Sequence, residues 1–158
     1  MNFDPVHPGD RVCDAIVGHI FKGLIDRTLP KEHWTHGAHL CAGVAMLAEY
    51  GLPPSEQKMP GIIRAYNKAT GGINSDTDGY HHTVTLFFLK ILDRFMTGHE
   101  ENSIGKLATA ILASPIAGRA FLQQFYSTDL LFSVTARRSW VEPDLNQIDG
   151  DIALEVMP

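Results

Sequence analysis

The chain has 158 residues, of which 44% are hydrophobic and 20% are charged, and its formal net charge is -5 at pH 7. This length suits one domain with a single hydrophobic core. The negative charge disfavours a nucleic-acid-binding surface, which needs a basic patch to neutralise phosphates, and the apolar stretches are shorter than a membrane span of about 20 residues. We therefore expect a globular protein with neither a nucleic-acid nor a membrane partner.

The N-terminal residues and the cysteines indicate the cellular compartment of the protein. Residues 1–8 contain no basic segment followed by an apolar run, so they do not resemble a signal peptide. Cys13 and Cys41 form no CxxC pair and are too few for a disulfide framework. We expect a cytoplasmic protein in which Cys41 is a buried structural thiol.

Apolar residues recur at helical spacing along most of the chain, and no alternation typical of strands persists. Gly51 is a good helix end, and Pro53, Pro54 and Ser55 predict a break before the next helix. The polar stretch 73–79 predicts a loop. The predicted helices cover residues 10–26, 30–50, 55–69, 80–97, 103–113, 115–125 and 127–137.

Residues 141–158 lack helical periodicity and are predicted to be an irregular, extended tail. The sequence therefore predicts an all-α fold, a single domain over residues 1–158 that forms a bundle of six or seven helices. Antiparallel packing of such helices buries one apolar stripe from each of them.

The first candidate site is the stretch Trp34-Thr35-His36-Gly37-Ala38-His39-Leu40. His36 and His39 lie one helical turn apart and adjoin an apolar stripe, which predicts that both imidazoles face the interior. Glu32 lies one turn earlier and would supply a carboxylate. Two helical histidines are also common as hydrogen-bonded core residues, so this stretch alone does not establish a site.

The second candidate stretch is Gly79-Tyr80-His81-His82-Thr83, at the predicted start of the fourth helix. His81 falls on the buried face and His82 on its flank. If helices two and four lie side by side, the two stretches meet at one end of the bundle. We then expect a divalent transition metal, zinc, iron, nickel or copper, held by His36, His39 and His81, with His82 and Glu32 as alternative ligands.

Tyr80, Tyr126, Arg137 and Arg138 are candidates for substrate binding. Tyrosines at helical spacing are more often core residues. The arginines precede an acidic stretch and either pin the tail to the bundle or bind an anionic substrate bidentately. The sequence leaves both alternatives open.

Three blocks of the chain resemble a family of small, functionally uncharacterised bacterial proteins that are all-helical. The blocks are Trp34-Thr35-His36 with Ala38-His39-Leu40, then Gly79-Tyr80-His81, then Ala136-Arg137 with the segment 140–145, and the resemblance covers most of the chain. The second block of that family often reads Gly-Tyr-His-Glu-Thr, so His82 stands here in place of a glutamate. The family has no established activity, and the resemblance implies a similar fold with these blocks as the site.

Two functional hypotheses follow. In the first, the protein is a metal-dependent enzyme acting on a small molecule, and a metal-bound water or oxygen performs hydrolytic or oxygen-dependent chemistry. In the second, it is a non-catalytic binding or assembly protein with structural histidines, and exposed apolar residues such as Phe87 form a homo-oligomer interface. The sequence assigns no catalytic residue.

Overall fold

The computed structural model describes residues 3–148. Within this range the chain forms seven α-helices and no β-strand, which confirms the all-α prediction. Short 3₁₀ turns lie at Lys31–His33, Pro115–Ala117 and Leu122–Gln124. The helices are α1 (Asp14–Asp26), α2 (His36–Tyr50), α3 (Leu52–Ala69), α4 (His82–Thr97), α5 (Ile104–Leu112), α6 (Thr128–Leu131) and α7 (Val134–Arg138).

Helix α2 is the centre of the bundle, and it contacts α1, α3, α4 and α5. Its small residues permit this close packing. A Cβ atom added to Gly37 would lie 2.5 Å from the carbonyl oxygen of Val6, and one added to Gly43 would lie 2.6 Å from a methyl group of Leu92. The N-terminal arm therefore runs directly against the start of α2, and α4 approaches its middle.

Thr35 determines where α2 begins. Its hydroxyl oxygen accepts a hydrogen bond from the Ala38 N–H at 3.1 Å, which is an N-cap, and its O–H donates to the Val6 carbonyl. A capping threonine satisfies one of the N–H groups that the first turn leaves without a helical partner. The same side chain thus starts the helix and holds the N-terminal arm.

Several predicted boundaries were wrong. Pro53 and Pro54 do not break the chain but lie in the first turn of α3, where a residue without an N–H costs nothing. Residues 115–125 form two 3₁₀ turns rather than a helix. The predicted helix 127–137 is divided because the Ser133 hydroxyl accepts from the Ala136 N–H and starts a new helix, α7.

The segment after α7 is irregular over residues 139–148, with bends at 144–146, as predicted for the irregular tail from residue 141; residues 149–158 of that prediction lie outside the described range. The buried Thr83 hydroxyl donates to the Ser139 carbonyl at 2.9 Å and accepts from the Val141 N–H at 3.2 Å. Asp144 accepts from the backbone N–H and the hydroxyl of Ser127. These contacts hold the segment against α4 and α6.

Phe87 was predicted to be exposed, and this was wrong. Its side chain is fully buried. Its ring packs against those of Phe121, Phe125 and Tyr126, with centroids 5.0–6.1 Å apart. An oligomer interface through Phe87 is therefore incompatible with the fold. Among the described helices, each is too short or too polar to cross a membrane.

Candidate functional site

Two adjoining cavities lie between the first turns of α2 and α4 and the facing side of α3. The smaller, which we call the apolar cavity, has a volume of about 80 Å³, and the larger, the polar cavity, has a volume of about 450 Å³. Together they form what we call the cleft. Five residues border both cavities: Trp34, His39, Ile63, Val84 and Thr85.

His39 lies on the border between the two cavities. Its Nδ1 is 2.7 Å from the Thr35 carbonyl oxygen, and since a carbonyl only accepts, Nδ1 carries the hydrogen and Nε2 is the acceptor of the neutral ring. No hydrogen bond to Nε2 is found among residues 3–148. The ring stacks on Trp34, with centroids 3.6 Å apart and planes inclined by 26°.

The charge state of His39 follows from these surroundings. Although the ring stays accessible from the cleft, protein atoms enclose it closely, and this desolvation lowers its pKa to about 4. The hydrogen bond to the Thr35 carbonyl opposes the shift, and the nearby His36 adds to it. His39 is therefore neutral at pH 7.

His36, the first residue of α2, borders only the apolar cavity. Its ring meets that of Phe88 edge to face, with centroids 5.1 Å apart. Desolvation lowers its pKa, and a contact with the Ile116 backbone opposes this shift. The sequence predicted that His36 and His39 face the core; both are instead exposed at the cleft, because the helix start lies at the end of the bundle.

His81 has a structural role in α4. Its Nδ1 accepts the Val84 N–H at 3.2 Å and caps the helix, and its Nε2–H donates to the Leu131 carbonyl at 2.7 Å. Both ring nitrogens are therefore occupied. Desolvation is the main cause of its lowered pKa, so this ring is also biased towards the neutral form. The ring borders the polar cavity, as does Tyr80.

His82 lies outside the cleft. Its Nδ1 is 2.8 Å from the hydroxyl of Tyr80, and the guanidinium of Arg64 lies over the Tyr80 ring, 4.4 Å from its centroid. Desolvation and the charge of Arg64 lower the pKa of His82. Burial raises the pKa of Tyr80 to about 12, so its hydroxyl stays protonated.

The cleft does not gather the predicted metal ligands. His36 borders only the apolar cavity, while His81 borders only the polar one. Glu32 lies on an exposed 3₁₀ turn and borders neither cavity. Between residues 3 and 148, no group of three or more His, Cys, Asp or Glu side chains is arranged to hold a metal ion.

The predicted substrate-binding arginines stabilise the loop before α4. Arg137 donates to the Gly79 carbonyl at 3.1 Å, and Arg138 makes two hydrogen bonds of 2.6 Å to the Asp76 carboxylate. Tyr126 is buried and donates to the Val141 carbonyl. The arginines thus clasp the 73–79 loop rather than the tail, and Tyr126 holds the tail.

Sequence reasoning missed the cleft residues Ile63 and Thr85, and it included Trp34 in the first candidate stretch without assigning it a role. Thr85 carried a usable signal, since it is a polar residue one turn after His81 on a largely apolar helix. The stack of Trp34 on His39 could not be predicted, because Trp34 precedes α2 and its orientation depends on the path of the chain. Cys41 is buried as predicted, and burial raises its thiol pKa to about 12.

Comparisons of the chain with protein-family models, with curated proteins and with solved structures each gave no match. The candidate function therefore rests on the geometry of the cleft.

Proposed function

We propose that this protein binds a small molecule in the cleft and that His39 accepts a hydrogen bond from it. One observation carries the proposal: the His39 ring borders both cavities and presents a nitrogen without a hydrogen-bond partner in the described chain. Ligand sites are concave, mostly apolar and equipped with a few oriented polar groups, and the cleft has these properties.

The surroundings of His39 prepare it for this role. The hydrogen bond to Thr35 determines its tautomer, and the stack on Trp34 holds the ring plane. A ring held in this way loses little conformational freedom when a ligand binds, so less of the interaction energy is lost to ordering. Trp34 itself meets the ring of Tyr66, with centroids 5.6 Å apart, which supports the stack from a second side.

The test is a screen of small amphiphilic molecules in which binding is detected by NMR, from the backbone and indole signals of the protein. We expect binders to shift the signals of Trp34, His39 and Thr85 together. Val84→Phe should abolish the response because Val84 borders both cavities. The matched control is Val134→Phe, an identical change at an exposed position outside the cleft. The proposal would be contradicted if no molecule in the screen shifted a cleft signal, or if a molecule bound the Val84→Phe variant as well as the wild type.

A metal-dependent enzyme is the second candidate, favoured by the pairing of His36 with His39. Metal-ligating histidines usually donate their other N–H to a carbonyl or carboxylate, and the His39 Nδ1–H contact with Thr35 has that form. The pair would hold a divalent transition metal and leave the remaining positions to a ligand or water. His81 would join it only by losing both of its hydrogen bonds.

Elemental analysis of protein purified without an affinity tag tests this second candidate. This candidate, unlike the first, predicts a near-stoichiometric metal that is lost in His39→Ala and retained in Arg138→Ala, a change at an exposed side chain that borders neither cavity. A metal content far below one equivalent, unchanged after zinc or iron is added back, would eliminate it.

We also propose a cytoplasmic location. Cys13 and Cys41 are both free thiols, and they persist most readily in a reducing compartment. Thiol titration of protein taken from a rapidly quenched cell extract should find both reduced.

A further inference from the structure

We infer that the cleft selects a short, uncharged molecule with a hydrogen-bond donor at one end, such as an aliphatic alcohol or primary amide of about four carbons. Its donor binds His39 Nε2, and its chain enters the apolar cavity. This inference rests on the proposed function and names the ligand class of the same site.

The size of the apolar cavity limits the apolar group. Its volume is about 80 Å³. An engineered cavity of about 150 Å³ in another protein accommodates benzene, so about half that volume suits a short chain better than an aromatic ring. The walls are aliphatic and aromatic and include Leu40, Met59, Phe88, Leu89 and Leu92. These side chains offer a chain dispersion contacts, while the polar lining of the cavity consists of His36 and the border residues Trp34, His39 and Thr85.

His39 determines the polar end of the ligand. Its Nε2 is an acceptor because the hydrogen of the neutral ring lies on Nδ1, where it is held by the Thr35 carbonyl. A carboxylate has no donor to offer this nitrogen, and two facing lone pairs repel each other. The hydroxyl of Thr85, which also borders both cavities, already donates to the His81 carbonyl at 2.9 Å, so it presents only its lone pairs. Of the five border residues, only the Trp34 indole offers an N–H besides that of His39 Nδ1, so an anion finds no cationic partner at this border.

Cations are disfavoured for a different reason. An ammonium group would be a donor, but beside the apolar cavity it would lose water without gaining a counter-charge, and burying an unpaired charge is costly. The two charged side chains that border the polar cavity, Lys31 and Asp78, have opposite signs, so together they add no net charge to its lining. A neutral donor satisfies His39 without this penalty.

The experiment compares n-butanol, diethyl ether, butyrate and butylamine by NMR titration at pH 7 and constant ionic strength. Butanol and diethyl ether are isomers of nearly equal size, and of the two only butanol carries a hydrogen-bond donor. We expect butanol to bind about tenfold more tightly than the ether, the effect of one hydrogen bond of about 1.4 kcal/mol, and more tightly than either charged analogue. His39→Phe keeps an aromatic ring beside Trp34 and removes the acceptor, so it should equalise butanol and the ether.

The outcomes separate this inference from the proposed function. If cleft signals shift but the ether equals butanol in the wild type, or a charged analogue binds best, the ligand class is wrong and the cleft still binds small molecules. If none of the four probes shifts cleft signals while larger amphiphiles do, the size argument is wrong. If no molecule of either kind shifts them, both proposals are overturned. The wild-type comparison needs no variant, so it stands even if His39→Phe fails to fold.

Discussion

Histidines lie at the starts of the neighbouring helices α2 and α4, and their ring nitrogens are used differently. His36 and His39 lie within the first turn of α2, whereas His81 directly precedes α4. In α2 the N-cap is Thr35, whose hydroxyl takes the capping hydrogen bond and leaves His36 and His39 free to border the cleft. In α4 the N-cap is His81 itself. A histidine that replaces the usual Ser, Thr, Asn or Asp at a cap is thereby less available for binding.

The largest effect should come from replacing the capping histidine. His81→Ala removes the cap on Val84 and leaves the Leu131 carbonyl without its donor. We expect it to lower the free energy of unfolding by about 2 kcal/mol, from about 1 for the cap and about 1 for the lost hydrogen bond. His39→Phe, which disturbs only a local contact, should cost less than about 1 kcal/mol. Chemical denaturation with urea measures both.

A rescue variant sharpens this comparison. His81→Asn restores a capping side chain without reaching Leu131, so its stability should lie between those of the wild type and His81→Ala. If His81→Ala is no more destabilising than His39→Phe, the distinction between a structural and an available histidine is wrong.

A smaller effect should appear in the pH dependence of stability. The pKa of folded His39 is about 4, below its ordinary value of 6.5, so between these values the unfolded chain binds more protons. The free energy of unfolding should therefore fall as the pH is lowered through this window. Above the window His39 is neutral in both the folded and the unfolded chain, so it no longer makes the stability depend on pH. Because the ring is open to the cleft, solvent reduces the effect.

Urea denaturation of the wild type and His39→Phe at pH 7 and pH 5 isolates this contribution. The lowered pKa values of His36, His81 and His82 act in the same direction in both proteins, so the difference belongs to His39. Equal pH dependence in the two proteins would show that His39 titrates normally.

The smallest effect should come from Arg138→Ala. Its pairing with Asp76 is bidentate but exposed on both sides, and exposed ion pairs contribute little to stability. We expect a small decrease in the melting temperature that shrinks further in high salt. Arg137 still holds the Gly79 carbonyl in the variant, so the cleft signals should stay unchanged. A change in the His81 signals would show that Arg138 positions the start of α4.

Local sequence signals predicted much of the fold. Helical spacing predicted α1, α3 and α4 to within four residues at each end, because each of them buries one side of its own surface. Gly51 predicted the end of α2, but the start of α2 lies six residues after the predicted one. Short helices were less predictable. In 115–138 the apolar spacing suits a helix, but serine and glycine contacts between neighbours repeatedly start and end turns.

The chain by itself determined which histidines start helices and that α2 carries a proper N-cap, since Thr35 contacts a residue only three positions away. Whether a histidine is available was decided by tertiary structure. The Nε2–H of His81 is bound to a carbonyl 50 residues later, on α6. The stack of Trp34 on His39 and the cavities beside it likewise depend on how α3 and α4 pack. Hydrogen-bond partners so distant in sequence leave no local pattern from which they could be predicted.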